Sequence, residues 1–108
     1  MPTMYHVTSV ENRASIDAHG LDWTRMGAAR GIAGSLRPEQ EGCFLAPDDW
    51  TTDYFVDMNN TGGPVDVWAV EGVEGADLVT SPEGYEFVRA VIPRERLRLV
   101  RQDIPPLL

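Results

Sequence analysis

The chain reads as a single α+β domain, and three observations predict that class. Its two helix-like segments fall in the first sixty residues, most of its strand-like segments fall after residue 64, and a parallel doubly wound sheet would need more helices than these two. Helices packed on small antiparallel sheets satisfy that order. At 108 residues the chain, 1–108, is expected to form one domain, because two cores of half that size would each bury too little apolar surface.

Met4 to Thr8 mixes β-branched and aromatic residues and reads as a strand. Thr8-Ser9-Val10-Glu11 has capping-box spacing, in which a hydroxyl accepts from a free backbone N–H and the glutamate reaches back, so a helix is expected from Val10 to His19. Gly20 supplies the stop, with Leu21 packing back on the last turn. Asp22 to Glu41 holds Gly27, Gly31, Gly34, Pro38 and three arginines without sustained periodicity, and reads as a loop over a cleft. Gly42 to Ala46 is a short apolar run suited to a buried strand, with Cys43 as a buried small hydrophobe.

Pro47-Asp48-Asp49 supplies an acidic helix start that complements the positive end of the helix dipole. Trp50, Tyr54 and Met58 recur every four residues beside Phe55, which predicts an apolar face packed on the core, while Asp49, Asp53 and Asp57 predict a solvated one. Asn59 to Pro64 is a turn cluster, and Val65 to Val70 alternates as a strand. Gly72 to Pro82 is a second loop that admits a brief strand at Asp77 to Thr80. Tyr85 to Ile92 reads as a strand, Pro93 to Leu97 as a turn, Leu97 to Arg101 as a last strand, and Ile104 to Leu108 as extended.

Composition narrows the function classes. The net charge is −8 and all nine basic residues are arginine, so a bulk electrostatic grip on nucleic acid is disfavoured. A lone Cys43 cannot form an internal disulfide. No charged start plus apolar stretch of signal-peptide type follows Met1, and no apolar run approaches the roughly 20 residues needed to span a bilayer, so a cytoplasmic, soluble protein with no membrane partner is expected. With His6 and His19 the only histidines and no Cys-x-x-Cys, no metal site is expected. Neither a Walker loop nor a dinucleotide-binding glycine fingerprint occurs.

Three short segments carry chemistry: His6-Val7-Thr8-Ser9, then Gly42-Cys43-Phe44-Leu45-Ala46 through Tyr54-Phe55, then Glu86-Phe87-Val88 followed by Ile92-Pro93-Arg94-Glu95-Arg96-Leu97. In that order, over roughly residues 4 to 100, they resemble the His-Tyr-Glu motifs of the ADP-ribosyltransferase superfamily, small bacterial members in particular. The resemblance implies two small antiparallel sheets forming a cleft with two main helices, and NAD bound as substrate in that cleft. It implies a transferase of the glycosyltransferase class that cleaves the nicotinamide–ribose bond and passes ADP-ribose to an unidentified acceptor or to water.

By the same resemblance His6 contacts ribose and is catalytic with Glu86, Val7 offers its backbone N–H and C=O to the nicotinamide amide, and Thr8 belongs to the same binding segment. Valine departs from the glycine many members carry at that second position, although contacts through the backbone survive the change. Tyr54 stacks on nicotinamide, with Trp50 and Phe55 as competitors for that role, and Arg30 of the loop contacts phosphate. Position 84 is glycine, so the paired glutamates of arginine-modifying members are absent. A toxin or phage-defence role fits compact members.

Plainer readings stand beside each assignment. His6 also reads as a core histidine satisfied by a hydrogen bond, Tyr54 as core packing on an apolar stripe, Glu86 as a solvated strand residue, and Arg25, Arg30 and Arg37 as surface charges. An alternative of another class is the same fold without catalysis, acting as a protein-binding module through its acidic surface or the Trp50 face. The remaining one is an unrelated α+β domain.

Overall fold

A computed structural model of the chain describes residues 3–22, 43–57, 63–80, 86–88 and 91–105. They build six strands and two helices: β1 (Met4–Ser9), α1 (Arg13–His19), β2 (Cys43–Leu45), α2 (Asp49–Asp57), β3 (Val65–Val70), β4 (Leu78–Thr80), β5 (Glu86–Val88) and β6 (Leu97–Ile104). The strands form two three-stranded antiparallel sheets, ordered β1-β3-β6 and β2-β5-β4. This is the α+β class expected, with two helices and two small sheets. Arg30, the rest of the loop between residues 23 and 42, Met58 and Tyr85 lie outside the described residues.

Among the described residues the sheets are joined by main-chain hydrogen bonds at one residue pair. Tyr5 N–H donates to the Ala46 carbonyl at 2.8 Å and Ala46 N–H donates to the Tyr5 carbonyl at 2.6 Å, joining β1 to the chain just after β2. Side chains alternate along β1 and β3, so Met4, His6 and Thr8 share a face with Val70, Trp68 and Asp66, while Val7 shares the other with Val67. Trp68 and Val70 pack with Ile16 of α1 and with Leu21, Leu45, Val88, Ile92 and Leu97. On the opposite face Val7, Val65 and Val67 pack with Ala46 and with Phe55 and Val56 of α2. Covered on both sides and paired along both edges, β3 is buried at all six positions.

The helix start departs from the expected cap. Ser9, rather than Thr8, takes the N–H of Glu11 at 3.2 Å, and Thr8 instead accepts from the Asn12 amide at 2.8 Å. Val10 to Asn12 form a 3-10 turn before α1 proper. Gly20 ends the helix with φ 77°, its N–H donating to the Ile16 carbonyl at 2.9 Å. Leu21 then exchanges two hydrogen bonds with Ile92, which ties the end of α1 to the segment after β5.

Among the described residues Asp66 of β3 is the one fully buried carboxylate, at 0% exposure. Arg13 grips it with two hydrogen bonds of 2.8 and 2.7 Å, and the Asp103 N–H adds a third at 3.1 Å. The register of β3 against β6 shifts near Val67, and Asp103 has φ 56°, which turns its N–H toward Asp66. The last strand therefore runs past Arg101 to Ile104, three residues beyond the sequence expectation. Among the described residues strand β5 covers Glu86 to Val88 and Ile92 makes an isolated bridge, while Tyr85 and positions 89 and 90 of the expected strand lie outside them.

Candidate functional site

Antiparallel strands send the N–H and C=O of one residue to the same side, and those of the residue two along to that side again. Both main-chain groups of Tyr5 go to Ala46, so both groups of Val7 also point toward β2. The ladder stops before it reaches them. The Phe44 carbonyl that a continued ladder would give to Val7 is instead bonded to His6 Nδ1, at 2.9 Å. A histidine side chain thus substitutes for a strand hydrogen bond, and the main-chain donor and acceptor of Val7 are left without a strand partner among the described residues.

A carbonyl only accepts, so Nδ1 must carry the proton and Nε2 presents a bare lone pair. His6 is buried, at 6% exposure, and Nε2 has no hydrogen-bond partner among the described residues. Burial pushes the imidazole pKa down from 6.5 to about 4, against the opposing pull of the Phe44 carbonyl. The ring is neutral near pH 7. The core-histidine reading is met by this bond, which links β1 to β2 beside Val7.

Glu86 stands directly opposite Leu45, and the Tyr5–Ala46 pair sets a register in which Leu45 follows His6 across the junction. Trp68, His6, Leu45, Glu86 and Thr80 consequently form one cross-strand row through both sheets. In this row Leu45 lies between His6 and Glu86. They do not touch. Glu86 is half-buried and opens into a cavity of about 470 Å³ lined by Leu45, Pro47, Trp50, Thr51, Tyr54, Phe55 and Glu86. His6 is not on that wall.

Helix α2 supplies most of the cavity; as expected Phe55 is buried and Asp49, Asp53 and Asp57 are exposed, but Trp50 and Tyr54 do not join Phe55 in the core. Thr52, Phe55 and Val56 are its buried residues, whereas Trp50 is 77% and Tyr54 38% exposed. Two of the rings expected on the core face thus lie at the surface. Positions 52, 55 and 56 lie about half a turn around the helix from 50 and 54, so Phe55 and Val56 can reach the core only if Trp50 and Tyr54 leave it. Asp48 starts the helix by accepting the Thr51 N–H at 2.8 Å, and these bonds from Thr51 hold its carboxyl below the usual range. Thr52 tolerates burial because its hydroxyl donates to the Asp48 carbonyl at 2.7 Å. Trp50 and Tyr54 stack with ring planes 4° apart and centroids 6.0 Å apart. The sequence could not point to Phe44 as a site residue, since its part is played by a main-chain carbonyl.

The structure thus brings Tyr54, Trp50 and Glu86 to one cavity, and places His6 and Val7 at the neighbouring strand junction. Thr8 is buried and engaged with Asn12, at the α1 end of β1. Among the described residues no cluster of histidine, cysteine and carboxylates could hold a metal ion, and no helix is long and apolar enough to cross a membrane. No family model, curated protein or solved structure matches the chain.

Proposed function

We propose that this chain is an NAD-dependent transferase with an ADP-ribosyltransferase-like fold, cleaving the nicotinamide–ribose bond and passing ADP-ribose to an acceptor or to water. The observation that carries the reading is the junction at Val7. A primary carboxamide both donates and accepts, and Val7 turns one donor and one acceptor the same way at a place where the sheet ladder has stopped. That is the complement of the nicotinamide amide. The Tyr54 ring, partly exposed on a cavity wall, supplies a π-face for a planar, partly cationic ring.

Glu86 supplies the charge. As the nicotinamide–ribose bond breaks, its electron pair leaves with nicotinamide and positive charge builds on the ribose ring. A carboxylate hydrogen-bonded to a ribose hydroxyl is then worth more in the transition state than in the ground state. The acceptor's nucleophile bonds to the same ribose carbon and loses its proton. In this reading His6 is a positioning residue, since its imidazole is committed to Phe44 and acts on the substrate through Val7.

Incubation with NAD, followed by chromatography of free nicotinamide, tests the proposal. Wild-type protein is expected to release nicotinamide, and Glu86→Gln, which keeps the shape and removes the charge, is expected to be slower by about a hundredfold or more. Equal rates for the two proteins would remove Glu86 from the mechanism. The second reading, a non-catalytic binding module, draws on the outward Trp50 face. It would be favoured if saturating NAD failed to raise the melting temperature, because a ligand at 100 times its Kd stabilises by about 2.7 kcal/mol.

A further inference from the structure

Helix α2 presents Trp50, Asp53, Tyr54 and Asp57 at positions i, i+3, i+4 and i+7, which is one continuous stripe along a helix. The stripe is exposed throughout and lies opposite the buried Thr52, Phe55 and Val56. Aromatic and acidic groups alternate along it. An indole 77% exposed is a large apolar surface left in water, and the parallel stack with Tyr54 fixes its orientation. A ligand for such a stripe should be flat, to lie on the rings, and cationic, to meet the carboxylates.

The chain itself supplies an example of the fit. Arg101 of β6 reaches Asp53 with Nη1 3.0 Å from Oδ1, so the stripe already holds one guanidinium of its own protein. Asp49 and Asp57 flank the same rings at the two ends of α2, and the whole chain carries a net charge of −8. We propose that the Trp50–Asp57 stripe of α2 docks an arginine-bearing segment of a partner protein, with a guanidinium stacked on the Trp50 indole and hydrogen-bonded to the neighbouring carboxylates. Arginine fits better than lysine because its planar fork can stack and pair with a carboxylate at once, whereas an ammonium is a strongly hydrated point charge. The recognition is non-covalent and does not require NAD or Glu86.

The test is a titration, without NAD, of the whole chain with two synthetic peptides of equal length and charge, one carrying arginines and one lysines at the same positions. Isothermal calorimetry reads the affinity, and proton NMR of the indole N–H signals reads the site. The arginine peptide is expected to bind at least about threefold more tightly than the lysine peptide and to shift the Trp50 signal. Trp50→Ala is expected to weaken the arginine peptide by about fivefold and to abolish its advantage, and Asp57→Asn to weaken both peptides, with the melting temperature of each variant unchanged because both positions are exposed. Equal affinity for the two peptides that is unaffected by Trp50→Ala would show a diffuse charge attraction and overturn the proposal, as would no binding of either peptide at millimolar concentration. Nicotinamide release measured on the same protein preparation separates the two ideas, since either assay can fail while the other succeeds.

Discussion

Lowering the pH from 7 to 4 should weaken the fold in part through His6. Its imidazole has an ordinary pKa of 6.5 and is held near 4 in the folded chain, so between those values the unfolded chain binds a proton that the folded chain refuses. The stabilisation is fully present above pH 6.5 and is lost as the pH falls toward 4. A gap of that size corresponds to roughly 3 kcal/mol, a large share of the stability of a small domain. Titrating carboxylates contribute over the same range, so the informative quantity is a difference between proteins. His6→Gln keeps an amide donor for the Phe44 carbonyl and cannot take up a proton. Urea denaturation of both proteins at pH 7, 6, 5 and 4 should show the wild type losing roughly 3 kcal/mol more than the variant across that span. Carbon-detected NMR of the imidazole should place its titration well below that of a free histidine. A His6 titrating between 6 and 7 in the folded protein, or identical pH profiles for the two proteins, would refute the buried, neutral ring on which the strand-junction argument stands.

Three further outcomes follow from the packing. Phe55→Ala should cost about 3–5 kcal/mol because the ring is 2% exposed in the core, whereas Tyr54→Ala should stay within about 1 kcal/mol, and urea midpoints that reversed this order would put α2 the other way round. Arg13→Met should lower the denaturation midpoint far more than Asp103→Ala, since the first strips the buried Asp66 of its two strongest hydrogen bonds while the second removes an exposed partner. Gly20→Ala should cost about 2 kcal/mol or more by the same measurement, because φ of 77° is unfavourable for alanine and the added Cβ would run into the Ile92 carbonyl that receives the Leu21 N–H.

Much of the fold was legible because its signals are local. β-Branched residues at Met4–Thr8 and Val65–Val70, the Gly20 stop and the acidic start at Asp48 each act within a few residues, and each element appears where the sequence places it. The errors arise where a partner outside the local motif decides. Strand β6 runs on to Ile104 because Asp66, thirty-odd positions earlier, recruits the Asp103 N–H. Thr8 loses the cap to Ser9 because Asn12 claims its hydroxyl. The orientation of α2 is the instructive case. Periodicity finds an apolar stripe at Trp50 and Tyr54, but it carries no information on whether that stripe meets a core or a ligand. Phe55 and Val56 settle the matter by packing on Val7, Val65 and Val67, and burial of Thr52 beside them depends on a bond to the Asp48 carbonyl that no propensity scale registers.

The same comparison explains why a histidine is needed at position 6. An apolar residue there would take the His6 donor from the Phe44 carbonyl, the group that a continued β1–β2 ladder would pair with the Val7 N–H. A lysine would bring a charge into a site with no carboxylate opposite it in register, since His6 faces Trp68 on one side and Leu45 on the other. Histidine in its Nδ1–H form caps the carbonyl, stays neutral, and keeps the Val7 donor and acceptor out of the sheet. The proposed carboxamide site therefore depends on a bond that His6 makes to the protein, and His6→Phe should lose NAD-induced stabilisation even though a phenylalanine fills the same space.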